Sequence, residues 1–174
     1  MERASHFDAG PSGRRWASSV KLKVLAVGAK MPDWVNAGVE AYIKRMPRDC
    51  AVEFVDISPG NRGKNADIAR AVAQEGDRML GHLRDSDHVV ALDVLGRSWD
   101  TARLSRELDG WRLQGGDVVL MIGGPDGLDP RCLAKAHQRW SLSALTLPHP
   151  LVRVLLAEQL YRAWTLLVGH PYHR

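Results

Sequence analysis

The groups best suited to chemistry in this 174-residue chain lie near its C-terminal end. In "SALTLPHPLVRVLLAEQLYRAW", residues 143–164, His149 stands between Pro148 and Pro150, and Arg153, Glu158 and Arg162 interrupt an otherwise apolar run. A histidine or carboxylate can move a proton, and an arginine can favour a developing anion. Glu158 and Arg162 are four apart and can pair along one helix face. The chain closes on "HPYHR", residues 170–174. His170 and His173 could bind a metal or belong to a polar tail; with no further ligands in sight, no metal is expected.

Three glycine-containing or apolar stretches, "ALDVLGRSWD", "LMIGGPDGL" and "SLSALTLPHP", fall where strands should end. In parallel sheets ligands bind beyond the carboxyl ends of strands. "GGPDG" alone is equally a tight turn. The dinucleotide fingerprint G-x-G-x-x-G is missing, as are G-x-S-x-G and His-Glu-x-x-His. "GNRGKN" is a poor phosphate loop, with Asn65 where Ser or Thr should bind magnesium; a basic loop facing RNA phosphates fits it better.

The elements that must position these groups alternate. Apolar runs at 21–28, 51–58, 88–94, 117–124 and 141–147 read as strands. Between them helices are expected from Pro32 and Asp33 to Met46, over 66–83, from a cap at Asp100 or Thr101 to Leu113, and over 130–137. In the second of these, Ile68, Val72, Met79 and Leu80 are candidate core positions, and "GRSWDT" reads as a turn. A long helix closes the chain. The pattern predicts an α/β fold with a mainly parallel sheet flanked by helices.

Residues 1–19 are polar and aperiodic and read as a disordered extension or tag, leaving 20–174 as one domain. The net charge of +4 is a mild bias toward polyanions. Cys50 and Cys132 read as buried reduced thiols of a cytoplasmic protein. No stretch reaches the roughly 18 uncharged apolar residues a membrane span needs, and no signal peptide is evident.

"KMPDWV" (30–35), "RGKNADI" (62–68), "IGGPDGL" (122–128), "WSLSALTLPHPLVRVLLAEQLYRAW" (140–164) and "HPYHR" together resemble one family. It is the small SPOUT-class methyltransferase that modifies N3 of a pseudouridine in bacterial large-subunit ribosomal RNA. The resemblance runs from about Val20 to Arg174. It implies a C-terminal trefoil knot, a homodimer, and S-adenosyl-L-methionine as methyl donor. The cofactor positions it implies are Leu92, Gly123, Leu142, Ser143, Ala144, Leu145, Thr146 and Leu147, with the last five, "SALTL", reading adenine through backbone while their side chains face the core.

Transfer to an imide nitrogen needs its proton removed or the anion stabilised. The candidates are His149, Arg153, Glu158, Tyr172, His173 and Arg174, with the tail of one protomer completing the pocket of the other and Tyr172 placed to stack on a base. A closing helix apolar on nearly every side calls for cover from a second subunit, the other reading being a core helix in a monomer. The slight basic bias implies that the assembled ribosome supplies much of the recognition surface. A non-enzymatic, ribosome-associated RNA binder and a SPOUT enzyme acting on tRNA are the alternatives.

Overall fold

The structure is a computed structural model and describes residues 19–174. The expected extension lies, apart from Ser19, outside the described residues. Five strands, β1 (Leu22–Val27), β2 (Val52–Ile57), β3 (His88–Ser98), β4 (Val118–Ile122) and β5 (Gln138–Ser141), form one sheet in the order β2-β1-β4-β3-β5. Every pairing is parallel. Helices α1 (Asp33–Ile43), α2 (Ile68–Leu80), α3 (Thr101–Gln114), α4 (Pro130–Lys135) and α5 (His149–Val168) cover both faces.

The period-two alternation of β1 divides the core. Leu22, Val24 and Ala26 pack with Leu104, Leu108, Trp111, Leu156 and Leu160 of α3 and α5. Leu25 and Val27 point the other way, to Met79 of α2 and Cys132 of α4. Both thiols are buried and free, and burial pushes that of Cys50 up to about 12, far from a nucleophile's range.

α5 packs between α1 and α3, and none of its residues is fully exposed. These two helices supply part of the cover that its apolar surface calls for, and Leu151, Val154, Leu155 and Trp164 stay half-buried. Pro150 fits the first turn, where its missing N–H costs no hydrogen bond, and Gly169 ends the helix in the left-handed region at φ 70°. Among the described residues, no helix is long and apolar enough to cross a membrane.

Several expected boundaries move for local reasons. The helix expected to reach Met46 loosens after Ile43: Arg45 N donates to Tyr42 O and Met46 N to Ile43 O, three-residue steps that tighten the turn before Pro47. Ile68 is exposed at the first position of α2, and Ala71, Glu75, Gly76 and Met79 are the residues turned inward. "GRS" belongs to β3, not to a turn. β3 pairs with β4 through Leu92 and with β5 from Val90, and its pairing with β5 shifts register between Leu92 and Arg97. The fifth strand is 138–141, and the expected strand 141–147 is an irregular loop after Ser141.

Candidate functional site

β4 and β5 end, and the middle of β3 passes, beside a cavity of about 460 Å³. Leu92 and Asp93 come from β3, Ile122 from β4, and Trp140 and Ser141 from β5. The turn 123–128, the loop 142–147, and His149 and Val152 of α5 complete the wall. Seven of the eight cofactor positions implied by the resemblance line it: Leu92, Gly123, Leu142, Ser143, Leu145, Thr146 and Leu147. Ala144 does not, and its side chain faces solvent with those of Leu145 and Thr146, so these three do not face the core as expected.

The loop keeps its main chain available. Ser141 Oγ donates to Ser143 O at 3.1 Å, and Leu145 N donates to Ser143 Oγ at 2.9 Å. Among the described residues, no amide or carbonyl of 143–147 bonds another main-chain group. Backbone polar groups left unpaired are ready donors and acceptors for a ligand. The opposite wall is a close backbone fold: Gly127 N donates to Gly124 O at 3.1 Å, and Gly127 has φ 82°. A Cβ on Gly123 would lie 2.6 Å from Gly127 C, so the two limbs of the turn touch through main chain alone.

His149 and Arg153 come together one helical turn apart. Arg153 Nε donates to His149 Nε2 at 3.3 Å, its Nη1 pairs with Asp56 Oδ1 at 2.5 Å, and its Nη2 donates to Ala26 O at 3.4 Å. Arg153 is 4% exposed. Burial and the Arg153 charge push the His149 pKa below its ordinary value, against a hydrogen-bonded contact with the Gly123 main chain. The ring at the cavity wall is thus kept neutral, with Nε2 an acceptor.

Glu158, Tyr172, His173 and Arg174 lie elsewhere. Positions 149 and 158 are separated by roughly 13 Å along the helix axis, and none of the four lines the cavity. The tail folds back on the C-terminal half of α5. Tyr172 Oη donates to Glu158 Oε1 at 3.1 Å, the Tyr172 ring meets Tyr161 edge-on at 4.7 Å, and Arg162 lies 5.0 Å over it. Arg162 also donates to Glu158 at 2.8 Å, the helical pairing expected from their spacing. Burial pushes the Tyr172 hydroxyl up to about 12, so it donates rather than ionises.

Sequence reasoning missed Asp93, Trp140, Val152 and Asp56. Asp56 sits next to the carboxyl end of β2, the signal already used for Gly123, and that signal reaches it too, whereas Asp93 lies midway along β3. Arg62, expected in a basic loop facing RNA, is turned inward onto Glu75 and Asp126, while Lys64 is exposed. Among the described residues, no group of three His, Cys, Asp or Glu side chains could hold a metal ion.

The family model described as "Predicted SPOUT methyltransferase" matches residues 20–173. The chain belongs to the SPOUT methyltransferase family. It is 66% identical over 155 residues to the "Ribosomal RNA large subunit methyltransferase H" of Chromohalobacter salexigens, covering 89% of this chain and 100% of that one. The protein of the same name from Hahella chejuensis is 57% identical over 155 residues, covering 89% of this chain and 99% of its own. The solved structure of a probable methylase family protein from Haemophilus influenzae Rd KW20 shares the fold, with a TM-score of 0.52 and 13% identity over 90% of this chain and 71% of that one.

Proposed function

We propose that this SPOUT family member is a cytoplasmic, S-adenosyl-L-methionine-dependent methyltransferase of large-subunit ribosomal RNA, acting at N3 of a pseudouridine on the assembled ribosome. The observation that carries this reading is the cavity at the strand ends, walled by the residues that the sequence marks for cofactor, in a chain so similar to large-subunit methyltransferases. The wall suits the group. Leu92, Ile122, Leu142, Leu147 and Val152 offer an apolar slot for adenine, the main chain of 143–147, apart from Ser143 O and Leu145 N, offers donors and acceptors to its edge, and Asp93 offers a carboxylate for ribose hydroxyls. When bound, the cofactor supplies an activated methyl group on a sulfonium.

The protein's own work is orientation and charge. Holding two reactants in line can remove several kcal/mol of barrier. The neutral His149 ring bridges Arg153 and the Gly123 main chain, so the cavity wall and α5 keep a fixed relation. The imide proton then needs a second group, and Glu158, Tyr172, His173 and Arg174 are too far from their own cavity to serve it. A homodimer, with its chains knotted at the C-terminal part, brings the partner's tail over the cavity. Val94 and Leu145, 78% and 73% exposed on the cavity rim, give that partner an apolar seat.

The decisive experiment is transfer of labelled methyl from S-adenosyl-L-methionine to ribosomes lacking the modification, beside naked ribosomal RNA and tRNA. Label in large-subunit RNA of assembled particles, and little in the others, is the expected result. Label in tRNA alone, or in no RNA from a folded protein that binds the cofactor, overturns the substrate assignment.

A further inference from the structure

The inward-turned Arg62 joins three segments that are distant in sequence. Glu75, in the middle of α2, is 3% exposed and accepts from both terminal nitrogens of Arg62 and, at 2.9 Å, from Gly60 N. The remaining nitrogen, Arg62 Nε, donates to Asp126 Oδ2 at 2.9 Å. Asp126 belongs to the 123–128 turn that walls the cavity. The ion pair also lies directly against the turn's backbone. A Cβ on Gly124 would stand 3.4 Å from Arg62 Nη2, 3.4 Å from Glu75 Oε2 and 3.1 Å from Val27 Cγ1.

A carboxylate buried in an apolar layer is a costly way to gain stability, because a packed aliphatic side chain does as well without desolvation. What an arginine fork adds is direction: three nitrogens fixed in one plane address two carboxylates at once. We propose that Arg62 is a positioning residue for the cofactor cavity, holding the 123–128 turn, through Glu75 and Asp126, in its ligand-binding geometry before any ligand arrives. This rests on the reading that the cavity takes S-adenosyl-L-methionine. A turn held in advance spends less binding energy on its own ordering, so the effect falls on affinity.

The test uses the full-length protein, the variants Arg62→Lys and Asp126→Ala, and their combination. Arg62→Lys keeps a cation beside Glu75, so the buried carboxylate stays paired, but a single ammonium cannot span both partners. Calorimetry with S-adenosylhomocysteine gives affinity, and hydrogen exchange of the ligand-free proteins reports amides 123–128. Each single variant should bind about five-fold to ten-fold more weakly, the equivalent of the net contribution of one ordinary hydrogen bond. Exchange should quicken at 123–128 while amides of β4 stay protected, and the double variant should be no weaker than the weaker single one.

Multiplying losses in the double variant would mean that Asp126 meets the ligand directly, and would overturn the proposal. So would unchanged exchange at 123–128, or exchange that quickens throughout the fold. If the parent protein fails to bind S-adenosylhomocysteine, the cofactor reading falls, and the exchange comparison alone decides whether Arg62 fixes the turn.

Discussion

Nε of Arg153 donates to Nε2 of His149 at 3.3 Å, so a buried cation holds the imidazole at the cavity wall by its lone pair. A ring in that position gains a proton only by breaking the contact and facing the guanidinium charge. Burial is the larger cause of the depressed pKa, and Arg153 the second. NMR titration should therefore place His149 below the ordinary 6.5, and Arg153→Met should move it part of the way back. A value at or above 6.5 in the parent protein would contradict the geometry.

The same shift has a sign in stability. The folded state binds this proton less readily than the unfolded state, so the contribution is complete above about pH 6.5. It is lost as pH falls from there through the folded pKa. Urea midpoints should drop over that window, and His149→Gln should drop less. Equal slopes in both proteins would assign the loss to other groups.

The Arg153–Asp56 pair is lopsided, with side-chain exposures of 5% and 64%. Removing the carboxylate leaves a buried cation unpaired, whereas removing the cation leaves a carboxylate already in water. Asp56→Ala should therefore cost about 1–3 kcal/mol, and Arg153→Met, of similar length and apolar, about 1 kcal/mol or less. Methyl transfer should fall at least about ten-fold in Arg153→Met all the same, because His149 loses its anchor. If Arg153→Met were the less stable variant by denaturation, Arg153 would be a structural residue first.

How far the sequence speaks follows from how local each signal is. Of the two caps read for α3, Asp100 is the one used, its carboxylate accepting from Arg103 N at 2.6 Å, and it was legible because a cap needs only its own first turn. The end of β4 before Gly123 was legible because an apolar run stops there, whereas β3 runs past the expected 94 to Ser98. β5 was not legible, since four residues, "QRWS", become a strand only by pairing with distant β3, on both sides of its change of register. Gly96 permits that: a Cβ there would sit 2.7 Å from Arg139 C. Glu75 likewise breaks the apolar pattern of α2, and its reason, Arg62, stands thirteen residues earlier in another loop. The SPOUT resemblance picked out seven residues that line one cavity, but which of their side chains face solvent is a tertiary property.

Gly123 and Gly110 should respond oppositely to alanine. A Cβ on Gly123 meets backbone on the facing limb, at 2.6 and 2.7 Å, and backbone cannot swing aside as a side chain can. Forcing the turn open should cost about 1–3 kcal/mol and weaken cofactor binding about ten-fold or more. Gly110, inside α3, would meet nothing within 4 Å, so alanine there should stabilise by about 0.5–1 kcal/mol and leave binding alone. Tight binding by Gly123→Ala would remove this turn from the cofactor wall.

The tail separates binding from chemistry. Tyr172 reaches Glu158 and Arg162 on its own α5, and neither group lines that protomer's cavity. A protein ending at Gly169 should bind S-adenosylhomocysteine as before and lose methyl transfer by on the order of 100-fold, the scale of a missing proton-transfer group. Mixed dimers make the origin of the tail visible. One chain would carry Gly123→Ala with an intact tail, and the other an intact cavity ending at Gly169. With the tail acting across the interface, the mixture regains activity that neither homodimer has, because one of its two pockets is complete. Full activity of the truncated homodimer would show the tail to be dispensable. Failure of the mixed dimer, with both chains folded and associated, would place cavity and tail in one protomer.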